Sequence, residues 1–277
     1  MKPYIRFKKP KLLKKLLQVL NIVFFVSTIY INYASSAGVF NNTTQASISA
    51  KYQTLFTPAS YAFSIWGIIY ILLLGFIIYQ SRSLFVKVRD DAFVQKTGWW
   101  FILSCTTNSL WCYLFVSDYI LLSTIVIFFI LYCLLQIIIR NSMELGDAPL
   151  STIAFLWWPF VIYSGWLTVA CIANVTIYLT KIGWDGWGIS PQQWTLFMIG
   201  VATSVNLVIT WTRNMREFAL VGAWGLVAIG AANSGSFDVI SLMAYGCAGL
   251  LIISSSVHAF KNKATNPLRK LLIGDKK

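Results

Sequence analysis

The chain has 277 residues, of which 57% are hydrophobic and only 11% are charged. A soluble protein needs roughly 25% charged residues to cover its surface, so most of the outer surface of this chain must face lipid. The net charge of +13 does not indicate a nucleic-acid partner, because the basic residues flank apolar segments instead of forming a stripe on one polar face.

Eight segments of the chain approach or exceed the roughly 20 apolar residues that a membrane-spanning helix needs. We therefore predict an all-α integral membrane protein with eight transmembrane helices, folded as a single polytopic membrane domain over residues 1–277. In chain order the segments are 16–36, 60–81, 98–117, 119–139, 151–178, 191–211, 217–234 and 237–260.

The third and fourth segments are separated only by Ser117 and Asp118. One continuous helix of about 40 residues would be far too long for a single crossing. We therefore predict a turn at the membrane surface around Asp118.

The basic residues divide unevenly between the two sides of this topology. Lys51 and Lys181 fall on one side, and the other 20 fall on the opposite side. The positive-inside rule then predicts cytoplasmic N and C termini, in the plasma (inner) membrane if the host is bacterial. The 20 are Lys2, Arg6, Lys8, Lys9, Lys11, Lys14, Lys15, Arg82, Lys87, Arg89, Lys96, Arg140, Arg213, Arg216, Lys261, Lys263, Arg269, Lys270, Lys276 and Lys277.

The first segment has an alternative interpretation as a cleaved signal peptide. A basic start, an apolar stretch and the small residues from Ala34 to Ala37 fit that pattern. Cleavage would leave seven spans with the same sidedness, so the charge distribution does not decide the matter. The apolar stretch is long for a signal peptide, and we expect the helix to be retained.

Every charged residue can be placed in a loop, a tail or a helix end. This excludes a retinal Schiff-base lysine and an arginine voltage sensor, and it argues against a proton- or ion-coupled pump. His258 is the one histidine and is expected at a helix end, and the five cysteines form no CxxC pair. We predict no metal site, no catalytic residues and no enzymatic activity. The absence of charge within the spans does not exclude a channel lined by neutral polar groups.

Three helices carry aromatic and amide side chains at spacings of three and four, which place each set on one helix face. If these faces converge, they form an apolar cavity with a few amide donors, suited to a flat hydrophobic ligand. The alternative is that they only pack helices together. The sets are Phe63, Trp66 and Tyr70; Asn108, Trp111 and Phe115; and Tyr163, Trp166 and Asn174.

These stripes carry a family resemblance. Pro58, Phe63 and Trp66-x-x-x-Tyr70, then Asn108-x-x-Trp111-x-x-x-Phe115, then Tyr163-x-x-Trp166-x-x-x-Ala170-x-x-x-Asn174 resemble, in order, motifs of the tryptophan-rich sensory protein family (TspO/MBR, translocator protein). The resemblance covers about residues 16–180, as a five-helix core. Ile162 and Tyr178 stand where the family has proline and tryptophan, and three additional helices at 191–260 suggest a longer, divergent branch.

The resemblance implies binding of porphyrin, haem or sterol for sensing or transport, with no cofactor certain. By its motifs Trp66, Asn108, Trp111, Tyr163, Trp166 and Asn174 would line the ligand cavity. The expected partners are the lipid bilayer, a hydrophobic small molecule and, as often in the family, a second copy in a homodimer. A permease for a neutral small solute and an accessory subunit of a membrane complex stay open as alternatives.

The seventh segment has small residues at every third position, namely Ala219, Gly222, Gly225 and Ala228. Small residues on one face let helices approach closely. We predict that this face packs onto the core, with a homodimer contact as the alternative. In the sixth segment, Thr203, Ser204 and Asn206 either add polar contacts to a cavity or satisfy one another.

Overall fold

The computed structural model describes residues 11–88 and 91–262, and every regular element in these ranges is helical. The all-helical prediction is therefore confirmed for this part of the chain. The basic residues predicted in the first ten positions, at Arg89 and beyond residue 262 lie outside the described residues.

Eight long helices follow the eight predicted segments. Two short helices, Gln45–Lys51 and Ala92–Thr97, lie in loops where none was predicted. The long helices are α1 Lys11–Ser36, α2 Ile65–Phe85, α3 Trp100–Val116, α4 Ile120–Arg140, α5 Trp158–Lys181, α6 Pro191–Arg213, α7 Arg216–Asn233 and α8 Asp238–Lys261.

Six of these helices, with their adjoining turns, are long and apolar enough to cross a membrane: α1, α2, α4, α5, α6 and α8. Helix α3 is apolar but has only 17 residues. Helix α7 has 18 residues, and Arg216, Glu217 and Asn233 at its ends lower its mean hydropathy. The chain is thus a multi-pass membrane protein, and the count of eight crossings stays a prediction.

Local sequence explains two of the helix boundaries. Helix α3 ends at the predicted turn, where Asp118 has a left-handed backbone with φ 63°. Helix α5 is entered through a π-helical turn, Ile153–Trp157. Pro159 follows this turn and has no N–H to donate to an i−4 carbonyl, so the helix reaches regular geometry only after a wider turn.

The first five helices form a closed ring. Helix α1 packs against α2 and α3, α4 packs between α3 and α5, and α2 returns to α5. Helix α1 turns a polar face inward, where Gln18, Asn21, Thr28 and Asn32 are buried. Gln18 donates to the Gln80 carbonyl on α2, and Thr28 Oγ1 donates to the Cys105 carbonyl on α3 at 3.0 Å. Helix α1 is therefore an integral part of the packed core.

The last three helices pack against one another, and α7 joins them to α5. Of the small residues predicted on α7, Gly225 makes this join, whereas Gly222 faces Asn206 of α6. A Cβ on Gly225 would lie 3.1 Å from the Val169 side chain on α5, and one on Gly165 of α5 would lie 3.0 Å from the Phe218 carbonyl oxygen. The prediction of close packing onto the core is confirmed at Gly225.

Loop contacts sort the helix ends into two groups. At one end Lys51 and Lys181 reach Asp118, and at the other Lys14 pairs with Asp91. We call these the Asp118 end and the Asp91 end. Asn141 Nδ2 donates to Thr97 Oγ1 at 3.2 Å, which brings the loop after α4 to the Asp91 end as well.

Candidate functional site

A cavity of about 680 Å³ lies near the Asp118 end, which we call the first cavity. It is enclosed by α1, the short helix Gln45–Lys51, the following segment 53–60 and the start of α2. None of the described residues that line it is charged. They are Ile29, Asn32, Tyr33, Ser36, Thr44, Gln45, Ala46, Ser49, Ala50, Gln53, Thr57, Pro58, Ser60, Phe63, Trp66 and Tyr70.

One wall of the first cavity is the predicted stripe of the second segment. Phe63 lies in the 3₁₀ turn Ser60–Ser64 that leads into α2 and is 40% exposed. Trp66 stacks on Tyr70 with ring centroids 5.7 Å apart and planes 22° apart. All three rings line the cavity.

The other six predicted residues do not line the first cavity, although the three stripes do converge. Trp166 is 2% exposed and meets Phe63 and Trp66 edge-on, at 6.0 and 6.5 Å. Asn108 Nδ2 donates to Tyr163 Oη at 2.8 Å, and this bond joins α3 to α5. Tyr163 and Trp166 therefore lie behind the wall, and the Asn108–Tyr163 bond draws α3 and α5 together.

The third and fifth helices meet a second time through Trp111. Its Nε1 donates to Asn174 Oδ1 at 3.0 Å, and its ring stacks on Phe115 at 5.1 Å. Asn174 Nδ2 donates to Ser123 Oγ and Thr124 Oγ1 of α4 at 3.1 and 2.7 Å. This amide thus binds α3, α4 and α5 together, as expected for a buried polar group between helices in lipid.

Asn32 connects the cavity to the residues behind the wall. It lines the first cavity, and its Nδ2 donates to Asn108 Oδ1 at 2.7 Å. A hydrogen-bonded path therefore runs from the cavity through Asn32 and Asn108 to Tyr163, which also meets the Trp66 ring at 5.7 Å. Sequence reasoning missed Asn32, although its spacing from Gln18, Asn21 and Thr28 along one face of an apolar helix was an available signal.

The short helix Gln45–Lys51 is fixed over the cavity by its own polar residues. Thr44 and Ser47 form a reciprocal capping box at its start. Gln45 Nε2 donates to Ser35 Oγ of α1 at 3.3 Å. The sequence predicted no helix in this stretch, and the residues Gln45 and Ala46 of the cavity were missed with it.

The end of the short helix is held by a charge cluster at Asp118. Lys51 Nζ, Lys181 Nζ and Tyr52 Oη donate to its carboxylate at 2.7, 2.8 and 2.9 Å. Partial burial opposes ionisation of Asp118, but these hydrogen bonds outweigh it and lower its pKa to about 2. The two lysines on the sparsely charged side thus serve a structural contact that joins the short helix to α5.

The segment after the short helix is fastened to α7. Ala59 N donates to the Ala228 carbonyl at 3.0 Å, and Asn233 Nδ2 donates to the Leu55 carbonyl at 2.9 Å. Trp224 Nε1 donates to the Ala62 carbonyl at 3.2 Å. The three-helix extension therefore positions part of the wall of the first cavity.

Two buried polar atoms at the aromatic wall have no hydrogen-bond partner within the described part of the chain. They are Tyr70 Oη and Trp166 Nε1. An unpaired buried donor costs about 1–3 kcal/mol. Tyr70 lines the first cavity, so its hydroxyl is the unused donor nearest to that space.

A sequence model of the family described as TSPO-like protein matches residues 18–257. The chain belongs to the TSPO-like protein family. The match continues beyond residue 180 through the three additional helices, further than the resemblance to the five-helix motifs reaches. No curated protein and no solved structure is significantly similar to the chain.

This TSPO-like chain buries its histidine at the Asp91 end, away from the first cavity. The His258 ring meets Trp211 edge-on at 5.1 Å. In residues 11–88 and 91–262, no three histidine, cysteine or acidic side chains are grouped to hold a metal ion. The chemistry available at the first cavity is therefore apolar contact, ring stacking and neutral hydrogen bonding.

A buried carboxyl group lies at the same end of the TSPO-like fold. Glu144, in the loop between α4 and α5, is 1% exposed. Burial, with the nearby Glu217 adding repulsion, raises its pKa to about 8, although Arg216 acts in the opposite direction. Asn214 Nδ2 donates to the Glu144 carbonyl at 3.1 Å and so joins the core to the extension.

Proposed function

We propose that this TSPO-like chain crosses the membrane eight times and binds a flat hydrophobic ligand of the tetrapyrrole type in the first cavity, for sensing or transport. The observation that carries the proposal is the aromatic wall of Phe63, Trp66 and Tyr70 in a cavity of about 680 Å³. Pockets for small-molecule ligands commonly measure about 300–1,000 Å³ and are lined by aromatic groups with a few polar ones.

The shape of the wall supports a planar ligand. The ring of Trp66, stacked on Tyr70, offers a flat apolar face on which an extended π-system gains contact and stacking energy. The side-chain amides of Asn32, Gln45 and Gln53 line the same cavity and supply hydrogen-bond donors. Such donors suit carbonyl or carboxyl oxygens at the edge of a planar ligand.

The eight-crossing topology is supported by the grouping of helix ends. The loops that meet at Asp118 and those that meet near Asp91 lie at opposite ends of the bundle. An eight-span topology also leaves 20 of the 22 basic residues on one side. The positive-inside rule places that side in the cytoplasm.

A titration of the purified protein with protoporphyrin IX, followed by tryptophan quenching, tests the ligand. Trp66→Leu removes one ring of the stacked pair Trp66 and Tyr70. We expect it to weaken saturable binding by about tenfold, or about 1.4 kcal/mol. Trp99→Leu is the matched control, because Trp99 is half-exposed and lies outside the first cavity. Linear quenching that is equal in all three proteins would mean partitioning into detergent and would contradict the proposal.

The structure gives less support to a permease for a neutral solute. That function needs a polar path past Thr203 and Asn206 in α6. Thr203 Oγ1 donates back to the Ile199 carbonyl and Asn206 Nδ2 to the Ala202 carbonyl, at 2.7 and 2.8 Å. Both side chains are buried against other helices, which favours a packing role over lining a path.

A further inference from the structure

A second cavity, of about 630 Å³, lies at the Asp118 end between the five-helix core and the extension. It is bounded by the end of α5, the start of α6, the end of α7 and the segment 53–57. Gln53 and Thr57 line both cavities, so this segment is a partition between them. The second cavity takes no part in the proposed function.

The second cavity has a fixed aromatic rim. Trp184 and Trp194 meet with ring centroids 5.2 Å apart. Trp194 Nε1 donates to the Gly186 carbonyl at 2.9 Å, which fixes the ring against the loop between α5 and α6. Tryptophan in such positions is typical of the boundary between hydrocarbon and headgroups, so the cavity opens at the depth where amphiphilic molecules concentrate.

The polar groups of the second cavity are mostly hydroxyls. Thr54, Thr57 and Thr176 form a connected set, with Oγ1 atoms 3.1 and 3.2 Å apart. Thr180 and Ser236 line the same space. Thr176 Oγ1 donates to the Ala173 carbonyl at 2.8 Å. Thr54 therefore donates to Thr176, and Thr57 donates to Thr54. The oxygens of the set keep acceptor capacity, and the set can therefore accept a hydrogen bond from an alcohol.

The charge of the lining restricts the ligand further. Asp185 is the one charged residue among the described residues that line the second cavity, and its Oδ1 already accepts the Trp187 backbone N–H at 2.9 Å. An anionic ligand would meet this carboxylate without any lysine or arginine as counter-charge in the lining, which is unfavourable near the membrane. Carboxylates and phosphates are therefore poor ligands for this cavity.

We propose that the second cavity binds an uncharged, hydroxyl-bearing amphiphile from the surrounding bilayer, of the long-chain alcohol or monoacylglycerol class. Its polar group lies among the threonine hydroxyls, and its chain lies along Leu179, Met198 and the tryptophan rim. Charge selection distinguishes this site from a general apolar crevice, which would accept any amphiphile of the same length.

The test uses three probes of one chain length in phosphatidylcholine nanodiscs: 11-bromo-1-undecanol, 11-bromoundecanoate and 11-bromoundecyl-trimethylammonium. Bromine quenches tryptophan on contact, and Trp184 and Trp194 report the second cavity. Ala232→Phe fills this cavity from α7, whereas Ala46→Phe fills the first cavity and is the matched control. Thr180→Phe fills the second cavity from α5 and carries the test if Ala232→Phe does not fold.

We expect saturable quenching by the alcohol in the wild type and in Ala46→Phe, and a dissociation constant raised about tenfold or more when the second cavity is filled. The carboxylate should give only linear quenching in every protein. Equal loss in Ala46→Phe, saturable binding of the carboxylate, or tighter binding of the ammonium probe than of the alcohol would each overturn the proposal. Protoporphyrin is absent from this test, so its outcome does not depend on the first cavity.

Discussion

Single buried polar residues determine how closely the helices of this protein approach. Asn108 and Asn174 lie in apolar helices and bond across to neighbouring helices. A side-chain amide in hydrocarbon needs such a partner, and the sequence was sufficient to predict that these residues face other helices. The sequence was not sufficient to predict their hydrogen-bond partners. Rotating a helix about its axis by one residue position would give each amide different partners.

Gly222 on α7 is a position where two helices approach so closely that only a residue without a side chain fits. A Cβ at this position would lie 2.6 Å from Asn206 Cγ on α6, and Asn206 is almost fully buried. We expect Gly222→Ala to destabilise the protein by about 1–3 kcal/mol through overpacking, measured as a lower unfolding temperature in detergent. Adding Asn206→Ala should restore most of the loss.

The control for this prediction is Gly246→Ala on α8, where an added Cβ meets nothing within 4 Å. That substitution should leave stability unchanged or raise it slightly, because alanine favours helix. Equal destabilisation by the two substitutions would show that close approach at Gly222 is not the cause.

Glu144 gives a prediction on pH. Its unfolded carboxyl ionises near the ordinary value of 4.5, whereas burial raises the folded pKa to about 8. Between these values the unfolded state binds fewer protons, so the stability of the wild type falls as pH rises through this window. Glu144→Gln cannot ionise, and its stability relative to the wild type should rise by about 3 kcal/mol from pH 5 to pH 8. Unfolding temperatures across this range measure the difference, and a constant difference would contradict the assigned burial.

At the scale of helices and loops, the candidate site depends on elements whose sequence pattern gives only a weak secondary-structure signal. The long helices could be predicted because runs of about 20 apolar residues have few alternatives. The short helix Gln45–Lys51 was missed, because seven mostly polar residues give no clear period. The first cavity is built largely from this helix and the segment after it, so the aromatic stripe of Phe63, Trp66 and Tyr70 was predictable and its surroundings were not.

The fastening of segment 53–62 to α7 can be tested directly. Asn233→Ala removes the hydrogen bond to the Leu55 carbonyl and should increase amide hydrogen exchange in this segment. The expected effect is about fivefold, corresponding to roughly 1 kcal/mol for one hydrogen bond. Ser234→Ala, at an exposed neighbouring position, is the control. Unchanged exchange in Asn233→Ala would mean that the extension does not hold the cavity wall.

For the whole molecule, the five-helix ring and the three-helix extension act as one packed structure. Helix α7 contacts α5, α6 and α8, and the family match spans both parts. The extension was predictable as three more helices, but its packing on α5 depends on tertiary fit between Gly225 and Val169. No pattern within one segment encodes that choice of partner.

The proposed sidedness can be tested with introduced cysteines. Single cysteines introduced at Asn41 and Asp185 should react with a membrane-impermeant maleimide in intact cells. Cysteines at Lys96 and Asn262 should react only after permeabilisation, because the eight-crossing topology places them on the cytoplasmic side. The native cysteines are buried or half-buried, and labelling of the protein without an introduced cysteine measures their background reaction. Labelling of Lys96→Cys and Asp185→Cys from the same side would contradict the topology.

Ligand binding at the aromatic wall is tested most directly by ¹⁹F NMR of protein labelled with 5-fluorotryptophan and titrated with protoporphyrin IX. The Trp66 signal is assigned by its loss in Trp66→Phe, and it should shift saturably because a porphyrin stacked on the wall imposes its ring current there. Trp166, directly behind the wall, should shift less, and Trp99 and Trp211 should not shift. Equal broadening of all exposed tryptophans, or a shift confined to Trp184 and Trp194, would contradict ligand binding in the first cavity.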